Sequence, residues 1–143
     1  MYRKILVALD NTESDQQLLP RIIALATTLK SELLLVHVAD GFAARNFDQL
    51  ALAASEEMRD DWKYLDQTAA RLRAETGLEV SARLALGNPP NQILKVAETE
   101  QVDLIAMASH GHRLVGDIIH GSTIDSVRHS ARVPIFVVPA AGK

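Results

Sequence analysis

A glycine-rich stretch, MASHGHRLVGDIIHGSTIDSV at residues 107–127, has the residue types that can bind an anion. Three of the 7 glycines of the chain lie in it: Gly111, Gly116 and Gly121, the last followed by Ser122 at a predicted helix start. Backbone N–H groups at a helix start, a hydroxyl and the positive end of the helix dipole together suit a phosphate. Glycine also lets the backbone approach an anion closely. An equally good interpretation is that Gly121 and Ser122 only cap the helix and that the other glycines shape a tight loop.

Asp10 is the second residue with suitable chemistry, because it directly follows a short apolar run. Its carboxylate could accept hydrogen bonds from a ribose hydroxyl or from a base edge. Asn11, Thr12 and Ser14 are common helix-cap residues, so a purely local role at the start of a helix fits as well. The spacing alone does not decide between the two roles.

The histidines of the chain suggest two further chemistries that lack a supporting motif. His110 and His112 could ligate a metal, and Ser109, His110 and Asp10 could form a catalytic triad. The chain has no G-x-S-x-G and no H-E-x-x-H motif, and it lacks the P-loop and G-x-G-x-x-G phosphate motifs. We therefore predict no catalytic residue and no metal ligand. His37 lies inside an apolar run and is predicted to be a hydrogen-bonded core residue.

Five apolar runs predict the strands that would position these residues. Runs of this length suit strands of a parallel sheet that is buried on both faces. The predicted strands cover residues 5–9, 33–38, 78–86, 103–108 and 133–138.

Helical periodicity between the runs predicts four helices. Ser14 and Gln17 have the form of a capping box before the first, and Asn88 followed by Pro89 is a typical start for the third. The second is long, and its predicted buried face runs through Leu50, Ala54, Met58, Trp62, Leu65, Ala69 and Leu72. The charged residues around that face, Asp61 among them, are predicted to form a solvated surface.

The alternation of strands and helices predicts an α/β fold with an open parallel sheet between two helical layers. No repeat or linker interrupts the chain, so residues 1–143 are predicted to be one domain. Ligands of such sheets bind beyond the carboxyl ends of the strands. Asp10, the segment following Val38 and the glycine-rich stretch all fall at such ends.

Composition excludes several classes of protein. The chain is 48% hydrophobic and 23% charged, with a net charge of -3 and scattered lysines and arginines, which disfavours nucleic-acid binding. It contains no cysteine, so disulfide scaffolds, thiolate metal sites and cysteine nucleophiles are excluded. No apolar run reaches the length of a membrane span, and the first residues do not resemble a signal peptide. We predict a cytoplasmic protein.

Several segments together resemble the universal stress protein family: RKILVALDNTESD, LLLVHV, LALGNPPNQILKVAETEQVDLIAMASHG and HGSTIDSVRHSARVPIFVVP. The resemblance covers almost the whole chain in the right order. It implies an adenine nucleotide alpha hydrolase-like fold with five parallel strands in the order 3-2-1-4-5. Asp10 and the glycine-rich stretch would then face each other across neighbouring strands.

Nucleotide-binding members of that family carry the motif G-x2-G-x9-G-[ST] after the fourth strand. The corresponding residues here are Ala108, Gly111, Gly121 and Ser122, so the spacing is intact and alanine replaces the first glycine. If that position needs a positive φ, the alanine costs about 1 kcal/mol or more. The resemblance implies a nucleotide site formed by Ala8, Leu9, Asp10, Val38, Met107, Ala108, His110, Gly111, Gly121, Ser122 and Thr123.

Within that site, the resemblance implies that Asp10 holds the adenosine end and that the backbone of Val38 meets the adenine. The expected ligand is ATP, or AMP, ADP or cyclic AMP; Mg²⁺ can accompany ATP, although the sequence shows no protein ligand set for a metal. A homodimer through the apolar segment from Val133 to Pro139 is also implied, since an uncovered apolar edge favours aggregation. The predicted function is a nucleotide-binding regulatory or stress-response module. The alternatives are an interaction module that binds no nucleotide and a slow ATPase.

Overall fold

The computed structural model describes residues 1–39, 49–109 and 117–139; of residues 49–55, 57 and 117–122 it describes the backbone only. The strands are β1 Lys4–Ala8, β2 Glu32–Ala39, β3 Val80–Leu86, β4 Leu104–Ala108 and β5 Ile135–Val138. The helices are α1 Asp15–Leu29, α2 Gln49–Thr76, α3 Pro89–Thr99 and α4 Asp117–Ser130. The predicted alternation of strands and helices is confirmed.

The five strands form one parallel sheet in the order β3-β2-β1-β4-β5. β1 is central: Val7 pairs with Leu35 of β2 on one side and with Ala106 of β4 on the other. β2 and β3 lie on one side of β1, and β4 and β5, which follow them in the sequence, lie on the other side. The direction of winding reverses at β1, which makes the crevice beside it the expected ligand position in such a sheet. The predicted strand order is confirmed.

Side chains of the sheet alternate between two cores. Ile5 and Val7 are fully buried in a cluster with residues of α1 and α2. Leu6, which points to the other face, is fully buried with Ile93 of α3 and Val127 of α4. Each such aliphatic side chain contributes about 1.5–3 kcal/mol through its burial. The predicted three-layer α/β/α arrangement is confirmed.

The buried face of α2 differs from the predicted one. Leu65 and Leu72 are buried as predicted, but Trp62 is 44% exposed. Asp61 and Thr68 complete the face instead, because positions 61, 65, 68 and 72 follow one another at helical steps of four and three. The interpretation of Asp61 as part of a solvated surface was wrong. Hydrophobic periodicity assigns a carboxylate to solvent, whereas this carboxylate has hydrogen-bonding partners inside.

Helix α4 begins earlier than predicted. It spans Asp117–Ser130, so Gly121 and Ser122 lie within the helix and not at its start. Glycine and serine are common caps, but one glycine inside a helix costs only about 1 kcal/mol. Burial of Val127 further along α4 outweighs that cost. The N–H groups without an intrahelical partner belong to the first turn of a helix, so those of α4 lie upstream of Gly121.

The start of α3 forms as predicted. Asn88 is the N-cap and its side chain accepts a hydrogen bond from the backbone N–H of Asn91 at 3.2 Å. Pro89 occupies the first helical position, where its missing N–H has no cost. This cap fixes where α3 leaves the sheet, and it places Pro89 and Ile93 beside the carboxyl ends of β1 and β2.

Candidate functional site

A cleft of about 180 Å³ opens at the carboxyl ends of β1, β2 and β4. Its walls include seven of the residues predicted for the site: Ala8, Leu9, Asp10, Val38, Met107, Ala108 and Thr123. His37 of β2 and Pro89 and Ile93 of α3 also line it. Residues far apart in the sequence are thus brought together at the crevice where the sheet reverses its winding.

The structure does not test the other predicted site residues. His110 and Gly111 lie outside the described residues. Gly121 and Ser122 precede Thr123 on α4, and only their backbone is described. The roles assigned to these four residues stay predictions.

Ala108 stands where the family motif has its first glycine. It is the last residue of β4 and pairs with Val138 of β5. Its φ is not positive, since the described non-glycine residues with positive φ are Tyr2, Asn11, Lys30 and Gln101. An extended backbone accepts any L-residue, so the strain that a positive φ would have caused does not arise here.

Asp10 follows β1 in a turn held by side-chain hydrogen bonds. Its Oδ1 atom accepts hydrogen bonds from the hydroxyls of Thr12 and, at 3.1 Å, Ser14. Ser14 is the N-cap of α1, but its side chain makes no capping hydrogen bond, so the predicted capping box with Gln17 does not form. The carboxylate of Asp10 therefore takes part in the local turn and also lines the cleft.

The side chain of Asp15, the first residue of α1, holds the same turn by accepting hydrogen bonds from the turn's backbone N–H groups. It is only 2% exposed. Its Oδ1 atom accepts a hydrogen bond from the N–H of Asp10 at 3.1 Å, and its Oδ2 atom accepts one from the N–H of Asn11 at 2.9 Å. The hydroxyl of Tyr64, on α2, donates to Oδ2 at 2.6 Å. One buried carboxylate thus joins the β1–α1 turn to α2.

The surroundings of Asp15 shift two ionisation equilibria. Burial raises the pKa of Asp15 to about 6, and the negative charge of Asp10 adds to the rise, while the hydrogen bonds from Tyr64 and the turn amides oppose it. Burial also raises the pKa of the Tyr64 hydroxyl, and the hydrogen bond to Asp15 adds to that rise. At neutral pH, therefore, Tyr64 is a donor and Asp15 is mostly an ionised acceptor.

His37 forms a second connection between the sheet and α2. Its Nδ1 atom lies 2.9 Å from the backbone carbonyl of Leu9, and its Nε2 atom lies 3.2 Å from Oδ2 of Asp61. The amide nitrogen of Asn11 donates to Oδ1 of Asp61 at 3.3 Å. His37 thus lies between a backbone carbonyl at the end of β1 and a carboxylate of α2. The predicted hydrogen-bonded role of His37 is confirmed, and the residue lines the cleft as well.

The sequence did not predict the cleft residues His37, Pro89 and Ile93 as part of the site. It also did not predict the three residues that hold the turn: Asp15, Asp61 and Tyr64. Asp61 and Tyr64 are three residues apart, so they lie on the same side of α2. The signal was present in the spacing of Asp61, Leu65 and Leu72, but it is visible only if a carboxylate is allowed a place in a buried stripe. Asp15 looked like an ordinary acidic residue in the first turn of a helix.

A second cleft, of about 250 Å³, lies at the opposite end of the sheet. Leu94 of α3, Ile105 of β4 and Val133 after α4 line it, together with Glu98 and Arg132. None of the residues predicted for the site is in it. The smaller cleft, with its polar turn at Asp10, is therefore the better candidate.

Two kinds of feature are missing from the described parts of the chain. Among the side chains that are described within residues 1–39, 49–109 and 117–139, no three of histidine, aspartate or glutamate are grouped so that they could hold a metal ion. Over the same residues, no helix combines the length and the apolar character needed to cross a membrane.

Comparison with known proteins gives matches along nearly the whole chain. A family model described as the universal stress protein family matches residues 1–139. Universal stress protein MJ0577 of Methanocaldococcus jannaschii is 29% identical over 154 residues, which cover 96% of this chain and 95% of MJ0577. The solved structure of MJ0577 matches with a TM-score of 0.77 at 28% identity and covers 100% of this chain and 99% of that one.

Two further solved structures have the same fold. One is a universal stress protein in complex with cAMP, with a TM-score of 0.72, 16% identity and 98% coverage of both chains. The other is the universal stress protein from Archaeoglobus fulgidus in complex with dAMP, with a TM-score of 0.66 and 21% identity, covering 96% of this chain and 98% of that one. At these identities the likeness establishes the fold alone.

Proposed function

This chain belongs to the universal stress protein family, and we propose that it binds an adenine nucleotide and acts as a regulatory or stress-response module. The observation that carries the proposal is the cleft itself. It gathers Asp10, Val38, Ala108 and Thr123 from four separate segments at the crevice of the sheet. An apolar cleft with a few polar groups converging on it is typical of small-molecule sites.

The chemistry of the cleft suits a nucleoside. In the proposed complex the Asp10 carboxylate accepts hydrogen bonds from the ribose hydroxyls, and the backbone of Val38 meets the adenine. Ala8, Leu9 and Met107 supply the apolar surface around the base. With about 180 Å³, the cleft is smaller than the roughly 300–1,000 Å³ of typical ligand pockets, which fits a base and sugar better than a whole nucleotide.

The phosphates would extend toward the glycine-rich stretch, with Gly111, Gly121, Ser122 and Thr123 as their proposed partners. Two solved proteins of the same fold hold adenine nucleotides, cAMP and dAMP, which supports adenine as the base. ATP, ADP, AMP and cyclic AMP are the proposed ligands. Any Mg²⁺ would arrive with ATP.

A second candidate function is an interaction module that binds no nucleotide. The methyl group of Ala108, which lines the cleft where the family motif has a glycine, favours this alternative because it takes space at the cleft wall. β5 is an edge strand on which Val137 is 42% exposed, and we propose that the segment from Val133 to Pro139 pairs with a second copy of the chain. A slow ATPase is the third candidate. We propose a non-enzymatic function for one cytoplasmic domain over residues 1–143.

Calorimetric titration of the purified protein with ATP, ADP, AMP and cyclic AMP tests the proposal, after any co-purified nucleotide has been removed and identified. Micromolar binding of one of them would support the nucleotide site, and their ranking would show how many phosphates are recognised. Absence of binding by a folded protein would overturn the proposal in favour of the interaction module.

A further inference from the structure

The turn that bears Asp10 is fixed from α2, a helix that contributes no described residue to the cleft wall. Tyr64 donates to Asp15 at 2.6 Å, and Asp15 in turn accepts the N–H groups of Asp10 and Asn11. One helical turn earlier, Asp61 accepts from the side-chain amide of Asn11 at 3.3 Å. Two side chains on the same side of α2 therefore reach the turn by separate routes.

Both carboxylates act on the turn and not on the cleft. Asp15 is 2% exposed and Asp61 is 9% exposed, so neither is presented to a ligand. The groups that Asp15 holds belong to the backbone of Asp10 itself and of the residue after it. Asn11 has a φ of 61°, and two acceptors, Asp15 and Asp61, hold its main chain and its side chain in that conformation.

The filling of buried space does not explain a carboxylate at position 15. A buried ionised group loses its hydration, and an apolar residue would fill the space at lower cost. Here the buried carboxylate is also close enough to Asp10 for the two negative charges to repel each other. What a carboxylate offers and an apolar residue does not is two acceptor oxygens, one for each backbone N–H of the turn.

We propose that Asp15 and Tyr64 are positioning residues for nucleotide binding: Tyr64 orients the carboxylate of Asp15, which fixes the backbone of Asp10 and so places the Asp10 side chain for the ribose hydroxyls. This inference rests on the proposed function. It means that two residues outside the cleft help the protein to distinguish a ribose from a sugar without the 2′ and 3′ hydroxyls. Loss of the pair leaves the apolar surface for the base intact and loosens only the group that recognises the sugar.

The test compares two ligands that differ only in the sugar hydroxyls, adenosine and 2′,3′-dideoxyadenosine, in calorimetric titrations at pH 8. Neither carries a phosphate, so the glycine-rich stretch does not enter the comparison. For Tyr64→Phe, the Kd of adenosine should rise about fivefold, as expected for the loss of one net hydrogen bond. The Kd of dideoxyadenosine should stay within about twofold of wild type, because that ligand does not use Asp10.

Tyr2→Phe is the matched control, since Tyr2 and Tyr64 are the 2 tyrosines of the chain and Tyr2 precedes β1 at the end of the sheet opposite the cleft. It should leave both affinities at their wild-type values. Equal losses for the two ligands in Tyr64→Phe would indicate a general loosening of the structure and would overturn the positioning role. Unchanged affinity for both would overturn it too.

Failure of the wild-type protein to bind either ligand is a different result, because it overturns the nucleoside site and the positioning role together. A second measurement needs no variant of Tyr64. The preference of the wild-type protein for adenosine over dideoxyadenosine should fall between pH 8 and pH 5, since a protonated Asp15 has one acceptor fewer for the turn. The titratable groups that face this region are Asp10 and Tyr64 at Asp15, Asp61 at Asn11, and His37 at Asp61.

Asp15→Asn separates Asp15 from those neighbours, because it cannot titrate. At pH 8, the preference of Asp15→Asn for adenosine over dideoxyadenosine should be lower than that of wild type by about the same factor as in Tyr64→Phe. It should then stay constant down to pH 5. A wild-type preference that does not change with pH, or an Asp15→Asn preference that falls as steeply as that of wild type, would contradict the role of Asp15.

Discussion

The Nε2 atom of His37 lies 3.2 Å from Oδ2 of Asp61, and this contact joins β2 to α2 at the edge of the cleft. Both side chains are largely buried, and each has another partner: the carbonyl of Leu9 for His37 and the amide of Asn11 for Asp61. The pair therefore ties the ends of two strands, the turn after β1 and the longest helix into one hydrogen-bonded unit.

Breaking this pair should destabilise the protein. In Asp61→Asn, the His37 ring loses its anionic partner, and we expect the free energy of unfolding to fall by about 2 kcal/mol, as for other buried polar groups that lose a partner. Urea denaturation followed by circular dichroism measures the change. Asp60→Asn, one residue away on the exposed side of α2, is the control and should change stability by no more than about 0.5 kcal/mol. Equal stability of the two variants would contradict the importance of the contact.

Ionisation of Asp15 should cost the folded state stability as the pH rises. Its pKa is raised from 3.8 to about 6 on folding, so the folded protein binds this proton more tightly than the unfolded chain does. The contribution of Asp15 is therefore most favourable below pH 4 and is lost as the pH rises to about 6. At about 1.4 kcal/mol for each pKa unit, the loss is roughly 3 kcal/mol.

Asp15→Asn cannot undergo this change. Its stability relative to wild type should improve by that amount between pH 4 and pH 7 and stay level above pH 7. Urea denaturation of both proteins across this range provides the measurement. Two curves that run parallel would show that Asp15 is not the group responsible.

Gly121→Val should abolish nucleotide binding, because a β-branched side chain would fill the space proposed for the phosphates. Gly121 lies inside α4, where valine is no worse a helix former than glycine, so loss of the helix is not the expected cause. Ser126→Val, at an exposed position of the same helix, is the control and should bind normally. Calorimetry with ATP decides the point, and unchanged affinity in Gly121→Val would remove Gly121 from the site.

Ala108→Gly should bind nucleotide as tightly as wild type or more tightly. Ala108 is in a strand without a positive φ, so its methyl group affects only the space available at the cleft wall. The same titration measures this variant. A large loss of affinity would mean that the alanine side chain itself contributes to binding.

Val137→Lys should dissociate the proposed homodimer. Val137 is 42% exposed on the edge strand β5, and a lysine there would place a charge in an apolar interface. Leu86 is also 42% exposed, on the opposite edge strand β3, so Leu86→Lys is a control matched in exposure. Light scattering coupled to size exclusion should give a monomer for Val137→Lys and a dimer for Leu86→Lys. A monomeric wild-type protein would refute the dimer directly.

The sequence predicted most of the fold because apolar runs and helical periodicity report burial directly. The run ILVAL, at residues 5–9, predicted the strand that the structure has at Lys4–Ala8, and Asn88 with Pro89 starts a helix as expected. The strand order was predicted from the resemblance to a family and not from the hydrophobic pattern. The pattern of one sequence does not show which strands are neighbours in the sheet.

The candidate site was predicted less completely for two physical reasons. Cap residues such as Gly121 and Ser122 are tolerated inside a helix, so they marked the start of α4 wrongly. A buried polar residue is not counted as part of a hydrophobic stripe, even where its spacing fits one. Asp15 and Asp61 are buried because particular N–H, O–H and imidazole groups come within hydrogen-bonding distance, and those distances exist only after the chain has folded.

The position of Trp62 has a practical consequence. It is the only tryptophan of the chain, it lies between Asp61 and Tyr64 on α2, and its indole is about half in contact with water. Indole emission depends on hydration, so a small displacement of the helix changes its wavelength. The protein therefore contains an intrinsic optical reporter beside the residues that hold the Asp10 turn. The emission wavelength of Trp62 in the unlabelled protein can therefore show whether ligand binding in the cleft changes the environment of α2 at the outer surface.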